Sequence, residues 1–146
     1  MSETKDERGR AVRQVRPFLE ELEAKPFWTN LREHKLTAQR CKSCDKFFSF
    51  PPQGSCPHCL SPQYEWVTLT GKGKVYSFVT YHRAWHPAYQ EKVPYNVSLI
   101  DLQEGPRLIS NVVGCKHDEV KIGMPVEIVF EDREEYTLPQ FRPIRQ

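Results

Sequence analysis

Long hydrophobic runs are missing from this sequence of 146 residues. No stretch of about 18 consecutive apolar residues occurs, so the sequence offers no transmembrane helix. Residues 1–17 are charged and lack the apolar segment that a secretory leader needs, so the expected location is the cytoplasm. An excess of charge of one sign is missing too. The formal net charge is +2, and residues 67–146 hold ten Lys+Arg against ten Asp+Glu. A nucleic-acid binder usually shows a basic face and a high pI, so this balance argues against that class. Familiar catalytic signatures are also absent. There is no Gly-rich phosphate loop ahead of a helix, no G-x-S-x-G and no H-E-x-x-H. The chain has no internal repeat and no low-complexity tract.

What is present is a foldable composition, with 38% hydrophobic and 27% charged residues. Cysteine is the informative residue. Of the five cysteines, Cys115 stands alone and four form two C-x2-C pairs, Cys41/Cys44 and Cys56/Cys59, separated by eleven residues. In a reducing compartment paired cysteines rarely form disulfides. A C-x2-C turn aims two thiolates at one point, and two such turns complete a tetrahedron, the arrangement zinc prefers. The reading is one zinc ion held by Cys41, Cys44, Cys56 and Cys59. Four protein thiolates leave no open position, so its role is structural. A redox pair and a rubredoxin-type iron site use the same residues. Two pairs at ribbon spacing favour a metal over redox exchange. His58, inside the second turn, is expected to point outward.

The organisation along the chain follows from punctuation and periodicity. Residues 1–16 are polar and read as a mobile arm. Residues 17–35 read as helical. Pro17 can open a helix, Phe18 and Leu22 share a face, and Pro26 breaks that helix or begins a second carrying Phe27, Trp28 and Leu31. Pieces this short need a surface to pack on, either within the chain or on a partner. Residues 36–66 form the cysteine module, with a short strand at 47–50. Residues 67–146 alternate in the manner of strands, at 74–81, 95–102, 107–113, 126–130 and 136–141, with a helical turn at 118–122. Short strands divided by turn residues indicate a mainly β unit, a small barrel or a sandwich.

Other chemistry-bearing residues carry weaker patterns. Cys115 and His117 are two apart, but Gly114 argues against a continuous strand placing them on one face. The loop at 82–93 holds His82 and His86 with Arg83, Trp85 and Tyr89. Trp, Tyr and Arg are favoured interface anchors, so partner contact is the leading reading for this loop, ahead of ligand binding. Asp101 and Glu104 lack a second group for acid–base work. Lys72 and Lys74, around Gly71 and Gly73, read as solvated turn lysines.

Several segments together resemble one family: PFWTNL, LTAQRCKSC, FPPQGSCPHC, EWVTLTGKGKVYSFV, PYNVSLIDL, RLISNVVG, IGMPVEIVFE and LPQFRP. It is the zinc-ribbon plus OB-fold family first catalogued as a domain of unknown function and associated with acyl-CoA and thiolase-like enzymes. The resemblance runs from about Pro17 to Pro143. It implies an N-terminal helical hairpin, a rubredoxin-like zinc ribbon and a C-terminal five-stranded OB-fold barrel. It also implies a non-catalytic scaffold subunit in a hetero-oligomer with thiolase-like acyltransferase subunits, the phloroglucinol acetyltransferase assembly among them. The catalytic residues and most of the CoA-type ligand site would then lie on the partner. Expected partner contacts are Phe18, Leu22, Phe27, Trp28, Leu31, Arg83, Trp85 and Tyr89. Two alternatives remain at this point. One is a single-stranded nucleic-acid binder stacking bases on Tyr76, Phe78 and Tyr81. The other is a hydrolase using Cys115 and His117.

Overall fold

The computed structural model describes residues 8, 10, 17 and 19–145. Among these residues there is one α-helix, α1 (Lys25–Arg32), with Pro26 in its first turn, where the missing N–H is no loss. Phe27 and Leu31, four apart, form its buried face. The helix closes where His34 takes a left-handed conformation (φ 58°) and donates its N–H to the Leu31 carbonyl. The expected helical hairpin is therefore a single short helix here. Its first arm is turns at 19–24, closed by bonds from the Ala24 and Lys25 N–H groups to the Glu21 carbonyl. Leu22 is 83% exposed and only Ala24 of this segment is buried, so little packing supports a helix here, and a piece so short does not hold one alone. Phe18 and nearly all of the arm at 1–16 lie outside the described residues.

The cysteine module hangs on a two-stranded antiparallel ribbon. Strand β1 (Thr37–Cys41) pairs with β2 (Tyr64–Thr68), from Thr37 opposite Thr68 to Cys41 opposite Tyr64. The strand expected at 47–50 is reduced to one bridge, Arg40 opposite Phe47. Past it, the buried Gln39 side chain takes over the role of a strand. Its Nε2 donates to the Gln53 carbonyl (2.6 Å), and its Oε1 accepts the Gln53 N–H (2.8 Å).

The second unit is a five-stranded antiparallel sheet in the order β5-β4-β3-β6-β7. Its strands are β3 (Lys72–Tyr81), β4 (Tyr95–Leu102), β5 (Arg107–Ser110), β6 (Pro125–Asp132) and β7 (Thr137–Pro143). The long β3 pairs with β4 along its length but with β6 only at Lys72–Lys74. A bulge between Val75 and Ser77 leaves Tyr76 unpaired, and a bulge bends and twists its strand. Two glycines make the tight start possible. Gly71 has φ 79°, and a Cβ there would overlap the Ile128 side chain, while a Cβ on Gly73 would lie 2.6 Å from the Asp101 carbonyl oxygen.

The sheet curls until the chain after β5 meets β7. Val112 forms a parallel bridge to Phe141, the Val113 N–H donates to the Phe141 carbonyl (2.7 Å), and the Phe141 N–H donates to the Asn111 carbonyl (2.9 Å). Buried Asn96 holds this closure from inside. Its Nδ2 donates to the Val112 carbonyl (2.7 Å), and its Oδ1 accepts the Val112 N–H (2.8 Å) and the Ser98 hydroxyl (2.7 Å). One continuous core joins the parts: Phe27 and Leu31 of α1 and Leu36 and Ala38 at the start of the ribbon share it with Val75, Ile100 and Phe141 of the sheet. Arg32 adds a polar clamp, donating to the Arg133, Tyr136 and Glu134 carbonyls of the β6–β7 turn.

Asn96→Ala removes the partners of both Val112 backbone groups, and buried unpaired groups cost about 1–3 kcal/mol each. The expected result is a loss of roughly 2–4 kcal/mol in urea unfolding. A change within error would show that the closure does not depend on Asn96.

Candidate metal centre

The two C-x2-C turns have the same backbone pattern. The Cys41 N–H donates to the Lys46 carbonyl and the Cys56 N–H to the Ser61 carbonyl, both at 2.8 Å. The Asp45 N–H returns to the Cys41 carbonyl (3.1 Å) and the Leu60 N–H to the Cys56 carbonyl (2.8 Å). Asp45 (φ 66°) and Leu60 (φ 64°), each following the second cysteine of its pair, take the left-handed conformation that closes the turn. Backbone N–H groups then face sulfur. Ser43 and Cys44 donate to the Cys41 Sγ at 3.3 and 3.4 Å, and His58 donates to the Cys56 Sγ at 3.3 Å. Cys41 and Cys56 are buried, Cys44 is half-buried and Cys59 exposed.

All four sulfurs lie within 4.8 Å of one another. Zinc–sulfur bonds of ~2.3 Å in a tetrahedron place the sulfurs about 3.8 Å apart. The Cys41–Cys59 and Cys44–Cys56 pairs are each at 3.6 Å. The donor set therefore fits a single zinc ion, with no position left for a substrate or a reactive water. Ionisation points the same way. The Cys44 N–H, followed by that of Ser43, lowers the Cys41 thiol to about 6. At Cys59 the Ser61 N–H favours the thiolate, yet the neighbouring Cys41 sulfur and burial outweigh it and push this thiol up to about 12. Thiols this close resist joint ionisation, and a dication removes that resistance. His58 is exposed and lies outside the four-sulfur group.

The other residues marked from sequence fall in separate places. Phe27 (5% exposed) and Leu31 (0%) are core residues, so their side chains have no free surface for a partner. Trp28 is half-buried, edge-on to Phe27 and Tyr136. Trp85 is 74% exposed on the β3–β4 loop, with the Arg83 guanidinium 5.0 Å from its ring centre. Tyr89 stacks on Tyr95 at 5.3 Å, and Tyr95 stacks on Tyr81 at 5.3 Å. His82 meets His117 edge-on at 5.6 Å. The Cys115 thiol is raised by burial first and then by Glu119, which favours the unreactive protonated form. Of the rings proposed for base stacking, Phe78 packs against the core and Tyr76 is covered by the Arg107 guanidinium at 3.8 Å. No helix among the described residues is long and apolar enough to cross a membrane.

The comparisons with known proteins agree with this architecture. Residues 28–65 match the family model for the ChsH2 rubredoxin-like zinc ribbon domain, and residues 66–131 match that for the ChsH2 C-terminal OB-fold domain. A DUF35 domain-containing scaffold protein of Methanocaldococcus jannaschii is 38% identical over 105 residues, covering 70% of this chain and 73% of that one. A probable enoyl-CoA hydratase alpha subunit of Thermomonospora curvata is 42% identical over 119 residues, 80% of this chain but 36% of that protein. The chain thus spans about a third of that relative's length. The benzoylsuccinyl-CoA thiolase subunit BbsA of Thauera aromatica is 34% identical over 80 residues, 55% of this chain and 53% of that one. Among solved structures, a chain of the Ltp2-ChsH2(DUF35) aldolase superposes with a TM-score of 0.78 at 37% identity, covering 88% of this chain and 98% of that one. This chain belongs to the ChsH2-type DUF35 family, with a zinc ribbon followed by an OB fold, and its zinc is structural.

Purified protein is expected to carry one zinc per chain by elemental analysis. Cys56→Ser should lose the metal and the ribbon's fold, whereas Cys115→Ala should keep both. Protons compete with zinc for thiolates, so acidification should release the metal and alkaline pH should retain it. Metal-free protein with a native ribbon would contradict the assignment.

Proposed function

We propose that this chain is a non-catalytic scaffold subunit of a multicomponent thiolase-like acyltransferase complex that forms C–C bonds. The observation that carries the reading is the family membership combined with a closed four-sulfur site. The relatives named for their roles are a scaffold protein, a thiolase subunit, a hydratase subunit and a chain of an aldolase assembly. The metal offers no open position for chemistry. In this reading the nucleophile and the acid–base groups belong to the partner, and this chain supplies surface. Arg83, Trp85 and Tyr89 of the β3–β4 loop are the partner contacts we retain from the sequence, because Trp85 is exposed and Arg83 is ordered against it. The acyl acceptor we propose to assay first is a phloroglucinol-type phenol, for which family resemblance is the support.

Co-expression with a thiolase-like subunit from the same genome should yield a complex that survives gel filtration. Acyl transfer by that partner should fall at least about tenfold when this chain is left out. Full partner activity without it, together with failure to copurify, would end this reading.

A further inference from the structure

The bulge in β3 reverses which side chains face the core. Val75, opposite Ile100, is 1% exposed, but Val79, opposite Val97, is 53% exposed. Beyond the bulge, the outer face of β3, β4 and β5 carries Val79, Val97, Leu99 and Ile109 around the exposed Ser77. Val79 lies beside Val97, and Leu99 pairs with Ile109, which is 70% exposed. Large apolar side chains exposed together on one sheet face mark an interaction site rather than ordinary surface. At one end of the face, Tyr76 lies beneath Arg107, which is held by Asp101 at 3.5 Å. At the other end runs the Tyr81–Tyr95–Tyr89 stack, capped by the Lys92 ammonium 5.3 Å from the Tyr89 ring. These aromatic rings are already ordered, so docking on them costs little side-chain entropy.

Charge decides the occupant. Lys74, Arg83 and Lys92 border the face and its loop, against the acid Glu91, while Arg107 and Asp101 pair with each other. A second copy docked face to face would set this cationic border against itself, and like-charge juxtaposition is strongly disfavoured. Area matters as well. Three strands at ~4.8 Å spacing and eight residues at ~3.3 Å rise present at most about 380 Å². One side of a stable interface covers ~800 Å², so the loop with Trp85 must share the contact.

We propose that the outer face of β3-β4-β5, together with Trp85 and Arg83, docks an apolar protein surface bordered by acidic side chains on the thiolase-like partner. This rests on the subunit reading above. The sheet supplies the apolar centre, the tyrosine stack supplies rigid anchors, and Lys74, Arg83 and Lys92 set orientation and speed of association.

The test uses the full-length zinc-loaded chain and the thiolase-like subunit that copurifies with it, with Kd measured by titration calorimetry. Ile109→Asp and Trp85→Ala should each weaken binding at least about tenfold. Arg83→Glu should slow association and flatten its dependence on salt. Ile109 and Trp85 are exposed, so both variants should keep one zinc and the wild-type unfolding midpoint. If the wild type binds and both variants bind equally well, the proposed face is wrong while the subunit reading stands. If the wild type is a homodimer that Ile109→Asp splits, the occupant is a second copy and the proposal is overturned. If the wild type binds no thiolase-like subunit, the subunit reading fails and this proposal fails with it.

Discussion

The convergence of four thiolates on one metal is the interaction on which the rest of the molecule depends. The ribbon's own buried cluster is small: Cys41, Phe48 and Cys56, flanked by Cys44 and Tyr64. Two of its three buried members are metal ligands, so metal and core are the same object. Structural zinc in comparable small domains supplies about 10–16 kcal/mol of apparent binding free energy, which far exceeds what so few apolar side chains can. The consequence reaches further than the ribbon. Cys41 ends β1, and the same strand carries Ala38 into the main core beside Leu36. Fixing the sulfurs therefore fixes the strand that joins the ribbon to the barrel.

The barrel is held by a different device. The strand pairs are ordinary antiparallel ladders, but the closure between β7 and the chain after β5 rests on a few bonds and on one buried carboxamide, Asn96. Gln39 does the same for the ribbon loop. Each side chain presents a donor and an acceptor in the geometry of a peptide, so loop backbone is satisfied where no strand is available.

Much of this was legible in the sequence, and the parts that were not have physical reasons. The spacing of Cys41, Cys44, Cys56 and Cys59 is a local constraint, so it names the metal site directly. The strand at Tyr95–Leu102 alternates without interruption and is found with those bounds. The first helical piece misled because the spacing of Phe18 and Leu22 implies a face without saying what covers it, and Leu22 is left in solvent. Phe27 and Leu31 have the same ambiguity and resolve the other way, into the core. The outer sheet face was hidden by the bulge. In an unbroken strand Val75 and Val79 share a side, and nothing in KVYSFVTY announces that Tyr76 will be skipped. The carboxamide roles of Asn96 and Gln39 depend on tertiary neighbours that no local pattern specifies.

In the proposed scaffold role the metal holds shape and the surfaces carry function. Replacing zinc with cadmium tests this division most directly, because cadmium accepts four thiolates but differs as a Lewis acid. The measurement is kcat of the assembled complex with each metal in this chain. The same kcat and the same partner affinity are expected for both. A kcat that changes with the metal while affinity stays constant would mean that the metal takes part in the chemistry, and would rule out a purely structural zinc.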